Sequence, residues 1–174
     1  MITIISGTNR PQSVTKTISL YYQEILGSLN TSSEILDLHD LPPDFTTTAL
    51  YANSGKNAAF NHFRQVVEAS QKFVFVVPEY NNSFPGVLKA FIDGLKYPDS
   101  FTNKKAALVG VSSGVQGGSL ALSHLGDVLS YMGMNTLGLQ VKLGRIKEFM
   151  VDGRITFPIY NDMLALQAKR LVEF

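Results

Sequence analysis

The chain contains no cysteine, and that absence excludes disulfides, thiolate metal sites, thiol nucleophiles and redox cysteine pairs together. Phosphatases that work through a cysteine in a phosphate loop go with them. Histidine is scarce: His39, His62 and His124 lie too far apart for the i, i+4 or clustered spacings of metal sites, so no metal is expected. Long hydrophobic runs are missing too. No window approaches the roughly 18 uninterrupted apolar residues of a membrane span, and the opening MITIISGTNRPQS lacks the basic-then-apolar layout of a targeting segment. The expectation is a soluble, cytoplasmic protein with no membrane partner. Neither sign of charge dominates, with 15 Lys+Arg against 14 Asp+Glu and a formal net charge of +1. That balance gives no reason to expect nucleic acid, whereas a small-molecule partner stays open.

What is present is a chain of 174 residues, 45% hydrophobic, which suits one domain over residues 1–174. Met1–Ser6, Phe73–Pro78, Ala106–Ser112 and Thr136–Val141 are short apolar runs, with Ser33–Leu38 a weaker fifth. Runs that are apolar throughout belong to parallel strands covered on both faces, because a half-exposed strand alternates with polar residues. Helical spacing fills the intervals: Val14, Ile18, Tyr21, Tyr22, Ile25 and Leu29; Phe60, Phe63, Val66 and Val67; Val87, Leu88, Phe91, Ile92 and Leu95 after Pro85; and Leu122, Leu125, Val128, Leu129 and Met132. A last helix is expected from about Asn161. Five strands alternating with five helices predict an α/β fold, an open doubly wound parallel sheet with helices on both faces. Ligands of such sheets sit at the carboxyl ends of the strands. Asp37–Gly55 reads as a long loop, either a binding loop or a disordered one. Within Gly144–Pro158, the Asp152-Gly153 pair predicts a small hairpin.

Three loops carry the chemistry. SGTNRPQS, Ser6–Ser13, lies between the first strand and the first helix, where unpaired helix N–H groups and the positive end of the dipole attract an anion. Thr8, Ser13 and Thr15 add hydroxyls and Arg10 a charge-assisted fork. The loop matches neither the dinucleotide nor the triphosphate glycine pattern, so a single phosphomonoester suits it better; equally, Ser13 serves as a plain helix cap and Arg10 as solvated surface. The second loop, within Val77–Leu95, joins the third strand to the helix after Pro85 and holds Pro78, Glu79, Tyr80 and Asn81. Its backbone amides suit the edge of a planar ring, with Tyr80 and Phe84 as apolar walls, although prolines and asparagines also simply form turns. The third, VSSGVQGGSLAL, places Ser112, Gly114, Gln116, Gly117 and Gly118 after the fourth strand. Its glycines imply positive φ or close backbone approach by a ligand, or merely a tight connection. In a flavodoxin-like five-stranded sheet of order 2-1-3-4-5 the strands before these loops are neighbours, so the loops converge on one pocket.

GTNRPQS, PEYNNSFPGVLKAFID and SSGVQGGSLAL, in this order and spacing, resemble the NADPH-dependent FMN reductase family, which includes quinone, chromate and azo-dye reductases. The resemblance runs from Met1 to about Val141. It implies non-covalent FMN, NADPH or NADH as electron donor, and a small-molecule acceptor such as a quinone or free flavin. It further implies that Thr8, Arg10, Ser13 and Thr15 hold the phosphate, that Pro78, Glu79, Tyr80 and Asn81 contact the ring, and that Ser112, Gly114, Gln116 and Gly117 line its other side. No catalytic side chain is assigned, since the flavin carries the chemistry. Family members commonly have Lys-Asn-Ala-Ile-Asp where this chain has Lys89-Ala90-Phe91-Ile92-Asp93. The resemblance also suggests a homodimer or homotetramer, with Phe84, Phe91 and Tyr97 as contact residues. The rival readings are a flavodoxin-like electron carrier and a flavin-binding regulatory protein without turnover. A carrier meets protein partners through a strongly charged face, which the balanced charge disfavours.

Overall fold

The computed structural model describes residues 1–174. Ile2–Ser6 (β1) is buried at every position, as a strand covered on both faces must be. There follow Val14–Ser28 (α1), Ser33–Asp37 (β2), Phe45–Thr48 (α2), Ala58–Ala69 (α3), Lys72–Pro78 (β3), Gly86–Asp93 (α4), Lys105–Val111 (β4), Ser119–Tyr131 (α5), Asn135–Thr136 (β5), Val141–Leu143 (β6), Met150–Val151 (β7), Arg154–Ile155 (β8) and Pro158–Glu173 (α6). The main sheet runs β2-β1-β3-β4-β5 with β6 also on β4, every pairing parallel. This is the order 2-1-3-4-5 expected of the doubly wound sheet.

Side chains alternate across each strand, and the alternation builds two cores. Phe73, Phe75 and Val77 of β3 face Phe60, Phe63, Leu88, Phe91, Leu122 and Leu125 from α3, α4 and α5. Val74 and Val76 face the other way, among Ile18, Tyr22 and Leu26 of α1 and Leu164, Ala168 and Leu171 of α6. Both cores end at the same sheet edge. There the loops after β1, β3 and β4 emerge side by side, because those strands are adjacent.

The fifth strand departs from expectation. Instead of one run over 136–141, Asn135–Thr136 pairs with Lys105 and Ala106, and Val141–Leu143 pairs with Val109 to Val111. Gln167 of α6 spans the interruption: its fully buried amide donates to Leu108 O at 3.0 Å and Leu139 O at 2.7 Å, while its carbonyl accepts from the Tyr22 hydroxyl at 3.2 Å. A side chain thus satisfies carbonyls that a continuous ladder would have used. Burial pushes the Tyr22 phenol above its ordinary range, which keeps it a donor.

The 37–55 stretch is ordered by packing. Two 3₁₀ turns, Leu38–Asp40 and Tyr51–Asn53, flank α2, and Leu38, Leu41, Phe45, Ala49 and Leu50 are buried in the α3–α5 core. The Phe45 ring stacks on Phe60 with centroids 5.5 Å apart. The Asp152-Gly153 hairpin forms between β7 and β8, both turn residues having positive φ as a type I′ turn requires. The last helix starts at Pro158 rather than near Asn161, since proline's fixed φ is tolerated in a helix's first turn.

Candidate functional site

The loop after β1 is fixed at both ends. Gly7 N–H donates to Val76 O on β3 at 2.9 Å, and a Cβ at this glycine would lie 3.0 Å from the same oxygen, so the absence of a side chain lets the loop leave flush with the sheet. At the far end Ser13 is the N-cap of α1, its Oγ accepting from Lys16 N–H at 3.1 Å. That leaves the Ser13 hydroxyl proton free to donate. The N–H groups of Gln12, Ser13, Val14 and Thr15 find no acceptor within the chain, and the first turn of α1 holds no acidic residue. Four unpaired donors at a helix start form an anion-binding end. Thr15 itself is buried within α1, and Thr8 Oγ1 accepts from Arg10 N–H at 3.3 Å.

The loop after β3 reverses in a tight turn. Tyr80 and Ser83 exchange backbone hydrogen bonds of 2.8 and 3.1 Å, with Asn81 and Asn82 at φ 49° and 64° between them; asparagine tolerates this left-handed region better than most residues. Asn81 is therefore an exposed turn corner. Glu79 N–H donates to Val111 O at 3.0 Å, and the Tyr80 hydroxyl shares a 2.9 Å hydrogen bond with Thr8 Oγ1.

The loop after β4 shows why it is rich in glycine. A Cβ on Gly117 would lie 2.6 Å from the Lys142 carbonyl carbon and 2.9 Å from the Leu143 and Gly144 nitrogens. The close approach at Gly117 is to the chain's own backbone. Ser112 Oγ donates to Gly114 O at 2.8 Å, Arg145 N–H to Gly114 O at 2.8 Å and Ile146 N–H to Ser112 O at 3.2 Å, so this loop and the segment after β6 brace each other. Arg145 is held by Glu148 at 2.6 Å, which raises the guanidinium pKa above its ordinary value through that hydrogen bond.

Between these loops lies a cleft of about 370 Å³, within the range of about 300 to 1,000 Å³ usual for small-molecule sites. Of the residues singled out in the sequence, Arg10, Ser13, Pro78, Glu79, Tyr80 and Ser112 line it. Thr8 stands behind through its bond to Tyr80. Thr15, Asn81, Gly114, Gln116 and Gly117 are off the lining. Pro11, Gln12, Val14, Val111, Ser113, Ile146 and Lys147 line it unforeseen. The first five are neighbours of expected residues. Ile146 and Lys147 had no signal, because the broken fifth strand hid where the tail would return.

The charges on the lining are Arg10 and Lys147 against Glu79. The lining joins Arg10 and the unpaired N–H groups of Gln12, Ser13 and Val14, at a helix start whose first turn holds no acidic residue, to Pro78, Tyr80 and Val111–Ser113. This donor set fits a planar ring system carrying one phosphate, as FMN does.

A family described as NADPH-dependent FMN reductase matches residues 1–148. An NAD(P)H-dependent FMN reductase of Pseudomonas aeruginosa is 34% identical over 137 residues, covering 76% of this chain and 71% of that protein. A probable NADPH:quinone oxidoreductase of Oryza sativa is 31% identical over 143 residues, covering 76% and 69%. Among solved structures, the flavoenzyme NAD(P)H:(acceptor) oxidoreductase FerB from Paracoccus denitrificans superposes with a TM-score of 0.79 at 23% identity, over 99% of this chain and 94% of that one. That last likeness shows the fold.

Proposed function

The chain belongs to the NADPH-dependent FMN reductase family and is an NAD(P)H-dependent oxidoreductase, and we propose that it holds FMN in the cleft at the ends of β1, β3 and β4 and reduces quinones, free flavin or other small acceptors. The observation that carries this is the start of α1: the backbone donors of Gln12, Ser13 and Val14, without an acceptor in the chain, share one cleft with Arg10, Pro78–Tyr80 and Ser112–Ser113. When bound, FMN supplies two-electron uptake from the nicotinamide and onward delivery to the acceptor in steps of one or two electrons.

The residues' own part is positioning. Arg10, the Ser13 hydroxyl and the Gln12–Val14 N–H groups would neutralise the phosphate; Pro78, Glu79 and Tyr80 would form one wall of the ring site and Ser112 and Ser113 the other. Thr8 would act by holding Tyr80, and Gly114, Gln116 and Gly117 by shaping the loop that carries Ser112. Asn81 and Thr15 would support the same loops from outside the cleft. Backbone N–H groups such as that of Ser113 are fixed dipoles that would favour negative charge gained on reduction. Glu79 is the one carboxylate on the lining and no proton transfer is assigned to it.

Residues 1–174 would act as one domain, in the cytoplasm; no helix is long and apolar enough to cross a membrane. A homodimer or homotetramer would use the face between α4 and α5, where Tyr97 and Tyr131, 60% and 77% exposed, stack with centroids 5.9 Å apart beside an apolar groove lined by Ile92, Leu95, Val128 and Met132. Phe91, expected among the contact residues, instead lies wholly inside the core against Phe60 and Phe63, because its helix turns that face to the sheet. Phe84 is half-buried. Reconstitution of the apoprotein tests the reading: stoichiometric uptake of FMN supports it, and uptake of FAD alone, or of no flavin, overturns it.

A further inference from the structure

Resting on that reading, we propose that Lys147, delivered by the segment after β6, is a second cation for the FMN phosphate and gives the site its preference for the phosphorylated flavin over riboflavin. Lys147 lines the same cleft as Arg10, Gln12, Ser13 and Val14. It is exposed and takes part in no ion pair or side-chain hydrogen bond, whereas its neighbour Arg145 is committed to Glu148 at 2.6 Å. A lysine acts on phosphate as a mobile point charge without fixed fork geometry, which suits a position on the rim.

The backbone that carries Lys147 is held firmly. Arg145 N–H donates to Gly114 O, Ile146 N–H to Ser112 O and the Tyr160 hydroxyl to Gly144 O at 2.9 Å. On the other side Phe149 stacks on Phe157 with centroids 4.8 Å apart and meets Tyr160 edge-on. The hairpin that follows lies along α1: Arg154 pairs with Glu24 at 2.9 Å, and the position of a Cβ on Gly153 is 3.6 Å from Thr17 Cγ2. The hairpin thus rests on α1, and Lys147 lines the cleft together with Gln12, Ser13 and Val14 at the start of that helix. Glu79 is the one acidic residue on the lining, so the added charge leaves the cleft net positive toward an anion.

The test titrates apoprotein with FMN and, separately, with riboflavin, following flavin fluorescence at low and high salt. Lys147→Gln is expected to weaken FMN about fivefold at low salt while leaving riboflavin within a factor of two, with the gap closing as salt screens the charge, and Lys147→Arg is expected to restore most of the loss. Equal weakening of both flavins, or of neither, overturns the assignment of Lys147. Wild-type protein that binds neither flavin overturns the proposed function itself, and the melting temperatures of the apo variants separate either result from unfolding.

Discussion

The Tyr80 hydroxyl and Thr8 Oγ1, 72 residues apart in sequence, share a 2.9 Å hydrogen bond that ties the loop after β1 to the loop after β3. Thr8 Oγ1 also accepts from Arg10 N–H, so this one bond couples the wall of the ring site to the residue proposed to face the phosphate. Binding into a preorganised cleft avoids the cost of ordering its loops.

Tyr80→Phe keeps the ring and removes the link. FMN affinity is expected to fall by about 0.5 to 1.5 kcal/mol, roughly twofold to tenfold, with the melting temperature nearly unchanged because Tyr80 is 37% exposed. Calorimetric titration of the apoprotein checks this; an unchanged dissociation constant would mean that the loop tie does not matter for binding.

Arg10→Ala removes the charged fork at the start of α1. A loss of about 1.5 to 3 kcal/mol in FMN binding, roughly tenfold to a hundredfold, is expected, with Arg10→Lys recovering part of it. Unchanged affinity in the alanine variant would return Arg10 to the solvated surface and leave the phosphate to the backbone.

Gly117→Val is expected to lower stability by at least about 2 kcal/mol in urea, since the new side chain meets the Lys142–Gly144 backbone at a φ of 58°. Any fall in flavin content would follow from that. Intact stability with lost flavin would show that the glycine serves the ligand instead.

Gly117 also shows how far the sequence could be read. The glycine cluster after the fourth apolar run signalled close backbone approach, but not what approaches: β6 is three residues long and shares only Val141 with the Thr136–Val141 run that the hydrophobic pattern marked as a strand. The strands, both helical layers and the loops holding Arg10, Ser13, Pro78 and Ser112 were legible because each rests on local periodicity or a strand-to-helix boundary, whereas the sheet order came with the flavodoxin-like class and not from periodicity. Lys147 and Gln167 were not, since their roles depend on chain returning from far away in sequence. Gln167 within an amphipathic last helix reads as a surface residue until the gap it fills is seen.

Gln167→Met leaves the carbonyls of Leu108 and Leu139 and the hydroxyl of Tyr22 without their partner. A destabilisation of about 2 to 4 kcal/mol is expected, and adding Tyr22→Phe should recover part of it, because removing both partners costs less than stranding one. Urea unfolding of the two single variants and the double measures this; additive losses would mean that Tyr22 and Gln167 act independently.

The most direct test of the account is anaerobic addition of NADPH, and separately NADH, to the FMN-loaded protein, followed by a soluble quinone, with the flavin's visible absorbance as the readout. At least one nicotinamide is expected to bleach that absorbance without any other protein, and the quinone to restore it through many turnovers. Bleaching by dithionite but by neither nicotinamide would contradict the account and favour an electron carrier.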